Sequence, residues 1–158
     1  IVFKEEVEAE ISVFEIDREN QLVLTPYYDI FSDTLTMGEI ILASEYGENH
    51  LIENTSFSTD STIYFIMANV TGVSVQEDGY SWYDVDLEIS YQDGTTIIEQ
   101  SKNLGDTGKV TLKSDVISPY GVINVPSDAT SGDYTIYVRV YDVYTNASVE
   151  REATFSIV

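Results

Sequence analysis

The chain has 158 residues, with 28 Asp and Glu against 7 Lys and Arg, so its net charge is −21. That balance excludes a phosphate-tracking nucleic-acid binder and disfavours an anionic membrane surface. With no Cys, no disulfide or thiolate site exists; 43% hydrophobic residues, rich in Ile, Val, Tyr and Phe, suit a packed β core.

In chain order, residues 2–16 come first. Val7, Ala9, Ile11 and Val13 alternate with Glu6, Glu8, Glu10 and Ser12, the pattern of a strand. Phe3, Val7, Ile11 and Phe14 also fit a helical stripe. The strand reading is favoured because the rest of the chain is β, with a bulge where Phe14 and Ile16 leave the register of Val13. Short strands are expected near 22–25 and 39–44. Ile63-Tyr64-Phe65-Ile66-Met67-Ala68 is apolar on both faces, as in a central strand. In the next strand Val85, Leu87, Ile89 and Tyr91 take one face and Asp84, Asp86, Glu88 and Ser90 the other, which predicts a half-buried antiparallel strand. Asp93-Gly94 then marks a hairpin into Thr95-Thr96-Ile97-Ile98. Weaker strands are expected near 108–113 and 121–125. Tyr134, Ile136, Val138 and Val140 point inward from a late strand, and Ala153, Phe155 and Ile157 from the last. Turn signals at Gly47, Asp78-Gly79, Gly105-Asp106, Pro126 and Ser131-Gly132 separate these runs, and many short strands so punctuated predict a sandwich.

From about Asn49 to Val158 the sequence resembles the Ig-like domains of archaeal and bacterial surface and secreted proteins. The resemblance rests on Phe57-Ser58-Thr59-Asp60-Ser61-Thr62-Ile63-Tyr64 with Val70-Thr71-Gly72, on the Val85–Tyr91 alternation with its DG turn, and on the 131–138 stretch with the closing 153–158 strand. It implies an all-β, antiparallel Ig-like β-sandwich over residues 49–158. Residues 1–48 would be an N-terminal extended strand region, either part of the same sandwich or a donor strand. Tyr134 matches the tyrosine-corner position, whose hydroxyl bonds back to the preceding turn. Ile136 stands where antibody domains carry Cys, as in the disulfide-free relatives.

Chemistry-bearing motifs are few. His50 is the one histidine and lies in an expected turn, and no Gly-x-Ser-x-Gly elbow accompanies it. Carboxylate pairs among 28 acids arise by chance and carry no glycosidase signal. Calcium is the one cofactor with an argument: Asp84, Asp86 and Glu88 form an outward acidic ladder, Asp17-Arg18-Glu19 resembles a cadherin calcium motif, and Asp78, Asp106, Asp133 and Asp142 fall in or near turns. Asp84, Asp86 and Asp142 are the candidate ligands; a merely solvated acidic face is the alternative. Three N-x-[ST] sequons, at Asn54, Asn69 and Asn146, are candidate glycan sites or ordinary turn asparagines. Trp82, Tyr137 and Tyr141 would form either a sugar-stacking platform or ordinary cross-strand packing.

These features lead to the expectation of a non-catalytic extracellular or cell-surface structural protein, such as a fibre or surface-layer subunit or an adhesive stalk. Its partners would be further copies or other surface proteins, with the strand of Val7, Ala9, Ile11 and Val13 added to a neighbour's sheet. A carbohydrate-binding or accessory module of a larger secreted protein is the alternative. The chain opens on Ile1 rather than Met, compatible with removal of a signal peptide.

Overall fold

A computed structural model describes residues 35–112 and 114–158. The expected strands at 2–16 and 22–25 and the Asp17-Arg18-Glu19 motif fall outside the described residues. The described chain is all-β. Its strands are β1 (Ile40–Gly47), β2 (His50–Glu53), β3 (Ser56–Phe57), β4 (Thr62–Met67), β5 (Val70–Thr71), β6 (Ser81–Tyr91), β7 (Thr96–Gln100), β8 (Lys109–Val110), β9 (Val116–Ile117), β10 (Tyr120–Asn124), β11 (Gly132–Asp142) and β12 (Ser148–Ile157). A 3-10 turn, Gly105–Gly108, precedes β8.

Two main sheets face each other. One has the order β10-β4-β1-β2, the other β3-β12-β11-β6-β7 with β8 also on β6; β5 and β9 make a small third sheet. Pairing is antiparallel except between β3 and β12. The apolar run of β4 does occupy a central place, between β1 and β10. β1 is likewise an inner strand, and its Ile40 and Leu42 enter the core, so residues 40–47 belong to the sandwich itself.

Period-two alternation decides which side chains meet. Leu42, Ile63, Phe65, Met67 and Ile123 project from the first sheet. They meet Val85, Leu87, Ile89, Ile136, Val138, Val140, Phe155 and Ile157 from the second. Gly121 in β10 is required by this packing, because a Cβ there would lie 2.1 Å from Cζ of Phe65. The Asp93-Gly94 turn closes β6 onto β7: Gly94 N–H donates to Tyr91 O, and Thr95 N–H to Asp93 Oδ1. That bond holds the Asp93 carboxyl below its usual range.

Two strand lengths depart from expectation. β8 is only Lys109–Val110; it follows a 3-10 turn whose Gly108 lies tight against the Tyr83 carbonyl, where a Cβ would be 2.1 Å from the oxygen. β12 begins at Ser148, well before Ala153, since its main chain pairs with β11 through the charged run Glu150-Arg151-Glu152. Charges on an edge strand hide the alternation without preventing the ladder.

Candidate functional site

The end of the sandwich where β6 begins and β11 finishes gathers the chain's distinctive side chains. Three loops meet there: residues 72–80 before β6, 101–108 after β7, and 143–147 between β11 and β12. Each is tied to the sheet by a carboxylate.

Asp142 closes β11 with a fully buried side chain. Its Oδ2 accepts the Ser74 N–H at 2.7 Å, and its Oδ1 accepts those of Tyr144 at 2.9 Å and Thr145 at 3.1 Å. One carboxylate therefore joins the first loop to the last. Asp84, only 3% exposed, accepts the N–H groups of Val85 at 2.8 Å, Leu104 at 2.8 Å and Gly105 at 3.2 Å. Asp86 accepts from Lys102 N–H at 3.0 Å and forms an ion pair with Arg139 at 3.0 Å. Asn103 completes the clamp by donating its side-chain amide to Val85 O at 2.8 Å. The burial of a carboxylate is tolerated when several amides solvate it in this way.

This arrangement corrects two expectations. Asp84 shares the outward face with Asp86 and Glu88, but the 101–105 loop folds over it, so it is not part of a wet ladder. Asp142 is an interior brace and not an exposed loop acid. The three candidate cation ligands do not converge: Asp84 and Asp86 hold one loop and Asp142 holds two others. Among the described residues no three Asp, Glu or His side chains form a metal-holding group. Asp78 and Asp106 lie in the loops of this same end, whereas Asp133 sits at the opposite end of β11, where its Oδ1 accepts from Ser156 Oγ at 2.6 Å.

The braced loops present aromatic rings. Trp82 packs edge-on against Tyr144, with centroids 5.9 Å apart and planes at 76°, and its indole N–H donates to Gly105 O at 3.0 Å. Tyr80 is 42% exposed and carries the Lys109 ammonium over its ring at 5.4 Å. Tyr144 is 37% exposed, and Val75 nearby is exposed too. The expected grouping of Trp82 with Tyr137 and Tyr141 does not form. Tyr141 instead lies under the Arg139 guanidinium at 4.5 Å, and Tyr137 hydrogen-bonds Glu150, which pushes its hydroxyl up to about 12. Tyr80, Tyr144 and Lys109 escaped the sequence reading because none belongs to an alternating run; a visible signal was the Asp142-Val143-Tyr144-Thr145-Asn146 turn itself.

The three sequon asparagines differ. Asn54 is exposed, and its Oδ1 accepts the Ser56 N–H at 3.1 Å. Asn69 is half-buried in the β4–β5 turn with φ of 56°, its N–H donating to Ser118 Oγ. Asn146 is exposed in the β11–β12 turn with φ of 66°, its N–H donating to Asp142 O. Far from these loops, the Tyr134 ring is buried, and its hydroxyl donates to Thr130 O at 2.6 Å. His50 opens β2 on the surface beside Glu45 at 2.7 Å.

No family model and no curated protein matches the chain. Among solved structures it is similar to the C-terminal domain of Wzt, at 12% identity and a TM-score of 0.49 over 99% of this chain and 80% of that one. A family 123 glycoside hydrolase from Clostridium perfringens aligns at 11% identity and a TM-score of 0.42, over 79% of this chain and 26% of that one. AvmM, which catalyses macrocyclisation in alchivemycin A biosynthesis, aligns at 8% identity and a TM-score of 0.37, over 77% and 95%.

Proposed function

We propose that the chain is a non-catalytic extracellular structural domain, a fibre or surface-layer subunit or an adhesive stalk, of Ig-like descent. The observation that carries this reading is the use made of the buried acids. Asp84 and Asp142, the two buried carboxylates among the described residues, are engaged as braces by three backbone amides each. The Tyr134 bond to Thr130 O supports the Ig-like relationship. No helix among the described residues is long and apolar enough to cross a membrane.

Assembly proceeds, in this reading, by addition of the strand at Val7, Ala9, Ile11 and Val13 to a neighbour's sheet; those residues lie outside the described ones. Donor and acceptor surfaces differ, so such a contact repeats head to tail. Light scattering and electron microscopy of the purified full chain test it. Linear assemblies that disappear when residues 1–16 are deleted, with the melting transition retained, are the expected outcome. A full chain that stays monomeric at every concentration overturns the fibre version.

The corner formed by Tyr80, Trp82 and Tyr144 favours a second reading, a carbohydrate-binding module. Glycan-array binding that disappears in Trp82→Ala would select it over the structural one.

A further inference from the structure

We propose that Asn146 is an N-glycan attachment site of this domain and that Tyr144 is the ring on which the first sugar, an N-acetylhexosamine or hexose, packs. The inference rests on the extracellular part of the proposed function. Attachment needs an asparagine amide and the hydroxyl two residues later to be reachable together on the folded surface. At Asn69 the hydroxyl is that of Thr71, which is buried and hydrogen-bonded to Thr36 Oγ1. At Asn54 both the asparagine and Ser56 are exposed, and the Ser56 N–H bond to Oδ1 leaves Nδ2 free, but no aromatic ring stands two residues before it. At Asn146 the asparagine and Ser148 are both exposed. The turn around it is locked: Asp142 N–H donates to Ala147 O at 2.8 Å, Asn146 N–H to Asp142 O at 2.8 Å, and Tyr144 and Thr145 N–H to the Asp142 carboxylate.

Tyr144 stands two residues before Asn146 in that turn, its ring held edge-on by Trp82. The C–H face of a pyranose packs well on an aromatic ring. Here both the ring and the turn are already ordered, so little conformational freedom is lost when the sugar settles. In the transfer step Nδ2 of Asn146 attacks the anomeric carbon of a lipid-diphosphate-linked oligosaccharide. The bond from that carbon to the diphosphate oxygen breaks, the lipid diphosphate leaves with the electron pair, and Nδ2 gives up one proton. The donor and its transferase come from the secretory pathway.

The test is expression of the full chain in an N-glycosylating secretory host, with glycopeptide mass spectrometry. Asn146 is expected to be occupied and Asn69 bare. Trimming the glycan to its first sugar should keep the melting temperature roughly 2–4 °C above that of the fully deglycosylated chain, the size of a modest stabilising contact in a domain this long. In Tyr144→Ala that difference should vanish, whereas Tyr144→Phe should retain it. A folded, secreted chain with Asn146 unoccupied overturns the attachment site. An unchanged increment in Tyr144→Ala overturns the role of the ring. If Tyr144→Ala does not fold, a lost increment in Tyr144→Phe overturns the stacking just as well. Host occupancy tests the site and self-assembly tests the structural reading, so the two fail separately.

Discussion

Two tyrosines in the core differ in what their hydroxyls meet. Tyr134 donates to Thr130 O, and burial pushes its hydroxyl up to about 12. Tyr83 is fully buried, yet its hydroxyl finds no hydrogen-bond partner among the described residues. Removing a satisfied buried hydroxyl costs ~1 kcal/mol or more, whereas removing an unsatisfied one is neutral or favourable. Urea melts should therefore show Tyr134→Phe destabilised by about that amount and Tyr83→Phe at least as stable as the parent. Equal losses would mean that Tyr83 has a partner. Asp142 is a second residue-scale case. Asp142→Ala leaves three amides without their acceptor and should cost about 2–4 kcal/mol, since each is a charge-assisted bond. If Asp142 is a brace, that loss is the same in chelator and in millimolar calcium. A loss seen only with calcium would mark it as a ligand.

Among elements, β12 is the one whose sequence hid its role. β3 pairs with it only at Ser156 and Ile157, so the stretch before that has β11 on one side and no other strand among the described residues. Arg151 lies there between Val149 and Ala153 in the alternation, and its side chain is exposed at the rim of the sandwich. Its guanidinium reaches the segment that leads into β1, donating to Gly38 O and Met37 O, each at 2.9 Å. It straps β12 to the segment before β1 and puts a charge where a second strand would add, a known protection for edges. Arg151→Val should therefore lower the melting temperature and increase association with concentration in sedimentation runs. A variant as monomeric as its parent would leave only the strap.

For the whole molecule, pH dependence follows from the tyrosines. Tyr134 and Tyr137 are raised to about 12 from an unfolded value of 10.0, and Tyr83 and Tyr141 are raised as well, chiefly by burial. Below pH ~9 neither state ionises, so the contribution is complete and constant. As pH rises through the unfolded value the unfolded chain loses these protons first, and stability falls until the folded rings ionise in turn. Denaturant melts from neutral pH upward should show a plateau and then a steep alkaline decline. A flat profile would contradict the burial of Tyr83, Tyr134 and Tyr141 and the Tyr137 bond to Glu150. The net charge of −21 adds self-repulsion, so moderate salt should raise the melting temperature at neutral pH.

Strand periodicity was enough to read from the sequence the part of the core that β6, β11 and the end of β12 supply. Val85, Leu87 and Ile89, and likewise Ile136, Val138 and Val140, face inward because a pleated strand turns every second side chain the same way. The Asp93-Gly94 hairpin was legible because its geometry is local. What periodicity could not supply was the partner of each polar residue. Asp84 and Asp86 occupy the same face, and only the course of the 101–105 loop buries one and leaves the other paired with Arg139. Asp142 ends a strand, and only the approach of Ser74, 68 residues away, turns it into a brace between loops. The meeting of Trp82 with Tyr144 and the difference between the three sequons are contacts of the same kind. They depend on where loops distant in sequence come to rest, and tertiary packing decides that.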